Sequence, residues 1–178
     1  LQLCALVESR NGAILAGLHT LTETERQVAA RLGSKSIDFA AMAATSNLFR
    51  AATAVRNHLE RSVLAKHDLS WTAFVVLWVT WIWEPIETRQ IADEGGFSKA
   101  TLTGVLGTLE GRGLLKRNKS PQDGRLVIVR LTPAGRKMMD KLFPEFNREE
   151  KYVVETLDAK ATGEVADHLR EITRHLES

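Results

Sequence analysis

Cysteine is nearly absent from this chain: Cys4 is the only one in 178 residues. A single thiol excludes an intramolecular disulfide framework and fits a reducing compartment. Long apolar runs are missing too. The longest, Trp71 to Trp83, is interrupted by Thr72 and Thr80 and falls short of the roughly 20 residues that a bilayer span needs. No basic stretch followed by an apolar core opens the chain, so no signal peptide is expected and a soluble, cytoplasmic protein is the reading. His19, His58, His67, His168 and His175 show no ligand spacing with a cysteine or a carboxylate cluster, so no metal is expected. No nucleophile–base constellation or phosphate loop supports a small helical enzyme, and neither catalytic residues nor a cofactor are expected. The formal net charge is only +2, so total charge says little about partners. Repeats and low-complexity segments are also lacking.

What is present describes one ordinary globular domain, or a domain with an appendage. Hydrophobic residues make up 44% of the chain and charged residues 26%, enough for a real core. The patterning predicts a mainly α fold. Leu1 to Leu21 is weakly patterned, with Gly12 and Gly17 in it. Thr22-Glu23-Thr24-Glu25 reads as a capping box for a helix over 23–32, closed by Gly33. An alanine-rich helix is predicted over 37–66, suited to close helix–helix or dimer contact. Ser70 caps the next helix, Trp71 to Trp83, which is apolar on nearly every side and is therefore expected to be covered all round. Pro85 stops it. A helix from Pro133 is expected to bend or end at Pro144, and Asp158 caps a last helix.

Between these lies the stretch from Ser98 to Gly135. A short helix over 88–94, a turn at Gly95-Gly96-Phe97 and a second helix capped by Ser98 have helix-turn-helix spacing. Leu102, Val105, Leu106 and Leu109 form the second helix's apolar stripe. Ser98, Lys99, Thr101, Thr103, Gly104, Gly107 and Thr108 are left to face outward. A basic strand at Leu114-Leu115-Lys116-Arg117, a polar loop with Asp123-Gly124-Arg125 and an alternating strand over 126–131 make a β-hairpin wing. From Arg112 to Lys141 the only acidic residues are Asp123 and Asp140, against Arg112, Lys116, Arg117, Lys119, Arg125 and four further cations. That local positive field suits phosphate binding. The order predicts a winged helix-turn-helix, with a helix in the major groove and an arginine in the minor groove.

Four motifs in that order resemble the MarR (multiple antibiotic resistance regulator) family of winged helix-turn-helix transcription factors. They are Leu69-Ser70-Trp71-Thr72-Ala73-Phe74, Ser98-Lys99-Ala100-Thr101-Leu102-Thr103, the segment Leu109 to Arg117, and Asp123-Gly124-Arg125 with Leu131 to Gly135. The resemblance implies a MarR-like domain over 36–178, its winged helix-turn-helix at 70–132 and dimerisation helices at 36–66 and 133–177. Residues 1–35 are then an extension that the resemblance leaves unexplained. It also implies a homodimeric repressor that binds double-stranded DNA at a palindromic operator, with no membrane partner. An activating or ligand-independent regulator is the alternative, and a protein-interaction winged helix without DNA binding is a reading from another class. The chain departs from the family at Gly104 and Gly107, where the family often carries Arg and Asp. Each glycine costs about 1 kcal/mol of helix propensity relative to alanine.

The site expectations follow. Ser98, Lys99, Thr101 and Thr103 are expected to read bases from the first turns of the helix. Arg125 is expected in the minor groove with Asp123 holding its guanidinium, while Lys116, Arg117 and Lys119 contact phosphates. The resemblance further implies a small aromatic or phenolic effector, with Trp78 and Trp81 as walls and Asn47, Arg50, His58 and Arg112 as polar anchors. Core packing for the tryptophans and a salt-bridge role for Arg50 stay open as alternatives. Some members of the family sense peroxides through an N-terminal cysteine, but no basic residue precedes Arg10 to activate Cys4.

Overall fold

Every α-helix start among the described residues is set by an oxygen-bearing residue that can hold a free amide. The computed structural model describes residues 20–33 and 35–178, so the expectations for Cys4, Gly12, Gly17 and His19 lie outside the described residues. The chain divides after Ala52 into two compact units.

The first unit holds α1 (Leu21–Leu32) and the opening of α2 (Phe39–Ser62). Thr20, not Thr22, caps α1, its Oγ1 accepting the Glu23 amide at 3.1 Å. The sequence TLTETE contains the Thr-x-x-Glu spacing twice, and the earlier register is the one adopted. Glu23 does not close a capping box but pairs with Arg26 at 2.7 Å. Helix α2 starts two residues later than predicted because Asp38 Oδ1 takes the Ala41 amide at 2.9 Å.

The second unit is built around α3 (Trp71–Trp83), on which α4 (Thr88–Gly95), α5 (Lys99–Gly111), β3 (Val127–Leu131) and α6 (Pro133–Val153) pack. Leu59 at the end of α2 and Val63 just after it join the core, and a 3-10 turn (Leu64–His67) leads into α3. Val76 and Leu77 are fully buried; burying a side chain of that size contributes about 1.5–3 kcal/mol. Phe74 stacks on Phe146 of α6 with ring centroids 4.2 Å apart. The expectation that α3 is covered all round needs correcting. Trp78 is 37%, Ile82 49% and Trp83 60% exposed, so the neighbouring elements leave part of its C-terminal half uncovered.

A three-stranded antiparallel sheet, ordered β1-β3-β2, joins β1 (Ile86–Glu87), β2 (Leu115–Lys119) and β3. Ile86 pairs with Val129, and Leu115 with Leu131. The two-residue β1 is invisible to periodicity, being shorter than any pattern. Helix α6 continues past Pro144 instead of ending there. Leu142 and Phe146 are buried on either side of the proline, and that burial offsets the roughly 3 kcal/mol that an interior proline costs. The last helix, α7 (Ala159–Glu177), is capped by Asp158 as predicted, and no residue in it is buried. Val165, Leu169, Ile172 and Leu176 leave an apolar row open along it.

Candidate nucleic-acid interface

Helix α4 ends at Gly96, whose left-handed φ of 63° lets Phe97 N–H reach back to the Ala92 carbonyl at 2.9 Å. The chain then turns directly into α5, with Ser98 Oγ accepting the Thr101 amide at 3.1 Å. Leu102, Leu106 and Leu109 lock the inner face of α5 into the core. Ser98, Lys99, Thr101 and Thr103 all lie on its exposed side, as the spacing predicts. Gly113, with φ 70°, closes α5 through Leu114 N–H to the Leu109 carbonyl and feeds the chain into β2.

The wing is wired from within. Ser120 Oγ accepts the amides of Gln122 and Asp123, each at 3.3 Å, and Leu126 N–H donates to the Asp123 carbonyl at 2.9 Å. Asp123 does hold Arg125, but by the wrong group for the expectation. Its Oδ1 accepts the Arg125 backbone amide at 2.9 Å, the two-residue reach of an Asx turn. The guanidinium has no ion-pair partner among the described residues. Lys99, Lys116 and Lys119 are likewise exposed and unpaired among the described residues. Four exposed cations on a helix start and a hairpin make a surface complementary to a polyanion.

Arg117 is not one of them, contrary to expectation. Its guanidinium grips Glu110 at 2.6 and 3.0 Å, and its backbone N–H donates to the same carboxylate at 3.1 Å. The guanidinium hydrogen bonds, then that N–H, hold the Glu110 carboxyl below its usual range. The pair ties the last turn of α5 to the wing. Its signal was visible: Glu110 is the only acidic residue between Ser98 and Arg117.

The expected effector residues fall in both units. Asn47 and Arg50 belong to the first unit, and His58, Trp78, Trp81 and Arg112 to the second. Asn47 Nδ2 donates to Glu25 at 2.9 Å, while its Oδ1 is buried without a donor. His58 binds Glu149 at 2.7 Å and stacks on Tyr152. Trp81 packs on Phe143 with centroids 5.5 Å apart. Arg112 donates to the carbonyls of Asp68 at 2.6 Å and His67 at 2.9 Å, which makes it a clamp between α5 and the turn before α3 rather than a free anchor. Asp68, in the left-handed region at φ 53°, is the residue it steadies. A cavity of about 340 Å³ beside the wing is lined instead by residues such as Glu87, Gln90, Lys119 and Arg130. Among the described residues no helix is long and apolar enough to cross a membrane, and no cluster of three metal-ligating side chains occurs.

Comparison with known proteins agrees with this geometry. The model of the MarR family matches residues 69–127. YwaE of Bacillus subtilis (strain 168), an uncharacterized HTH-type transcriptional regulator, is 37% identical over 120 residues, covering 67% of this chain and 70% of that protein. Among solved structures, MepR of S. aureus in complex with DNA superposes with a TM-score of 0.67 at 20% identity, over 73% of this chain and 96% of that one. The PcaV transcriptional regulator from Streptomyces coelicolor, in complex with its natural ligand, gives 0.63 at 22% identity, over 79% and 97%.

Proposed function

This chain belongs to the MarR family of DNA-binding transcriptional regulators, and from that premise we propose that it is a homodimeric repressor of a palindromic operator, released by a small aromatic or lipophilic effector. The observation that carries the DNA half is the set of exposed cations, Lys99, Lys116, Lys119 and Arg125, unpaired among the described residues and displayed by a capped helix and a stiffened wing. Arg125 enters the minor groove, Lys116 and Lys119 contact phosphates, and Ser98, Lys99, Thr101 and Thr103 face the major groove, with Asp123 shaping the wing tip. The open apolar row of α7, with Tyr152 and Leu157 also exposed, is the kind of surface a second copy covers. The winged helix-turn-helix spans 70–132, flanked by dimerisation helices at 36–66 and 133–177.

For the effector, PcaV supplies a precedent of the same fold holding a ligand. Candidates for holding one are found in each unit separately: in the first, the unsatisfied Asn47 amide oxygen and the Arg50 guanidinium, which has no ion-pair partner among the described residues; in the second, the exposed Trp78 indole. A ligand that shifts the two reading helices away from their separation of about one helical turn, roughly 34 Å, weakens operator binding. By linkage, operator DNA then weakens the ligand equally.

Selection of duplexes from a random library by the purified chain tests this, repeated with a panel of aromatic acids and phenols. Enrichment of an inverted repeat, lost in the presence of one of these compounds, is the expected result. An enriched repeat that no compound displaces leaves a ligand-independent regulator. Failure to enrich any duplex removes sequence-specific binding.

A further inference from the structure

The outward face of α5 lacks the side chains that usually read base edges by hydrogen bonding. Its only exposed charged residue is Lys99; every other exposed position from Ala100 to Gly111 is alanine, threonine or glycine. The hydroxyls there are already engaged. Thr103 Oγ1 donates to the Lys99 carbonyl at 2.8 Å and Thr108 Oγ1 to that of Gly104 at 3.1 Å. Ser98 and Thr101 share a hydrogen bond of 2.8 Å. With the hydroxyl protons of Thr103 and Thr108 given to backbone carbonyls, these two threonines offer a partner a methyl and an acceptor oxygen but no donor.

The glycines have no internal reason to be there. A Cβ built on Gly104 or Gly107 meets nothing within 4 Å, and neither residue has a left-handed φ. Both weaken the helix that carries them. A glycine that the fold does not need, on the exposed face, suits a partner whose surface comes closer than a methyl group allows. That this face meets DNA follows from the place of α5 as the second helix of the helix-turn-helix in a family of DNA-binding regulators. The small residues tell only how it reads.

We propose that α5 recognises its operator through thymine methyl groups, packing the Thr103 and Thr108 methyls against them while the backbone at Gly104 and Gly107 lies close to the groove floor. Thymine is the one base with a methyl in the major groove, and threonine methyls are among its natural contacts. The half-site is then A·T-rich under the helix, and specificity there survives added salt. Lys99, at the helix start, supplies the one long hydrogen-bonding arm. This inference rests on the DNA reading proposed above.

The test uses a duplex enriched from a random library by the full chain, and has two arms. In the first, deoxyuridine replaces the thymines of the half-site, removing only their methyl groups; affinity falls about fivefold or more. In the second, Gly104→Ala and Gly107→Ala each raise Tm by about 2–4 °C and yet weaken binding about tenfold. The slope of affinity against salt stays as in wild type, since no phosphate contact is lost. Wild-type affinity in either arm overturns the proposal. So does a lower Tm in the alanine variants, which would assign the glycines to the fold. If the wild-type chain enriches no duplex, the DNA reading and this inference fall together; if a duplex is enriched and either arm is flat, only this inference falls.

Discussion

Helix α5 and the wing that follows it present surfaces of opposite chemistry. On α5 the exposed face carries one charge, Lys99, and its threonine hydroxyls are satisfied by the helix itself. On the wing Lys116, Lys119 and Arg125 are exposed and unpaired among the described residues, on a hairpin stiffened by Ser120 and Asp123. Free cations contribute affinity through counterion release, which fades with salt and carries no sequence by itself. A small-residue face contributes little long-range attraction but discriminates by shape and methyl contact. The division of labour is therefore legible in which polar groups are left without partners. Between the two regions, Glu110 and Arg117 form the joint.

The largest effect on this comparison comes from removing the frame that holds both parts. Gly135 sits at the start of α6, where a Cβ would collide with the Leu114 carbonyl at the entry to the wing. Overpacking against backbone costs about 3 kcal/mol, and alanine's helix propensity returns about 1 kcal/mol. Gly135→Ala is thus expected to lose about 2 kcal/mol net, read as a Tm lowered by about 4–8 °C in thermal unfolding. The same substitution at Gly104 or Gly107 carries the opposite sign. Equal Tm shifts at all three sites would erase the distinction between a glycine kept for packing and one kept for approach.

Next in size is Arg125→Ala, which removes the wing's free guanidinium without touching the Asp123 hydrogen bond to the backbone amide. Operator affinity should fall by about 1–3 kcal/mol, or roughly 5- to 150-fold, at unchanged Tm. The salt slope should lessen by about 0.9 if the arginine meets one phosphate's worth of charge. Wild-type affinity and slope on an enriched duplex would remove Arg125 from the interface.

Most of the fold was legible because its signals are local. Ser70, Ser98 and Asp158 each cap the helix they were expected to cap, and Gly113 ends α5. Where local signals compete, the sequence was ambiguous: Thr20 and Thr22 offer the same cap, and Pro144 marks a break that buried Leu142 and Phe146 override. The wing was legible as charge, but not as geometry. Nothing in the spacing says that Arg117 is bound by Glu110, or that Arg112 reaches two carbonyls across 44 and 45 residues of chain. Those are long-range or backbone choices, set only once the elements pack. The partners of the expected effector residues were not legible either, because a guanidinium or imidazole in a sequence looks free until its partner is known. His58 and Arg112 both have partners.

The smallest expected effect tests the joint itself. Glu110 and Arg117 are each about one-third exposed, at 38% and 31% of their side-chain surface, so water screens their attraction despite the 2.6 Å contact. Glu110→Gln keeps the shape and one acceptor but removes the charge, and is expected to cost less than about 1 kcal/mol of stability. Its signature is the pH dependence. Arg117 holds the folded-state pKa of Glu110 below the unfolded value, so the stabilisation is complete above the unfolded pKa. It is lost as pH falls through the folded one. The Tm gap between wild type and Glu110→Gln should therefore be constant near neutrality and close on acidification. A gap that persists at acidic pH would mean that Glu110 acts through packing, and that the helix and the wing are coupled by shape rather than by this ion pair.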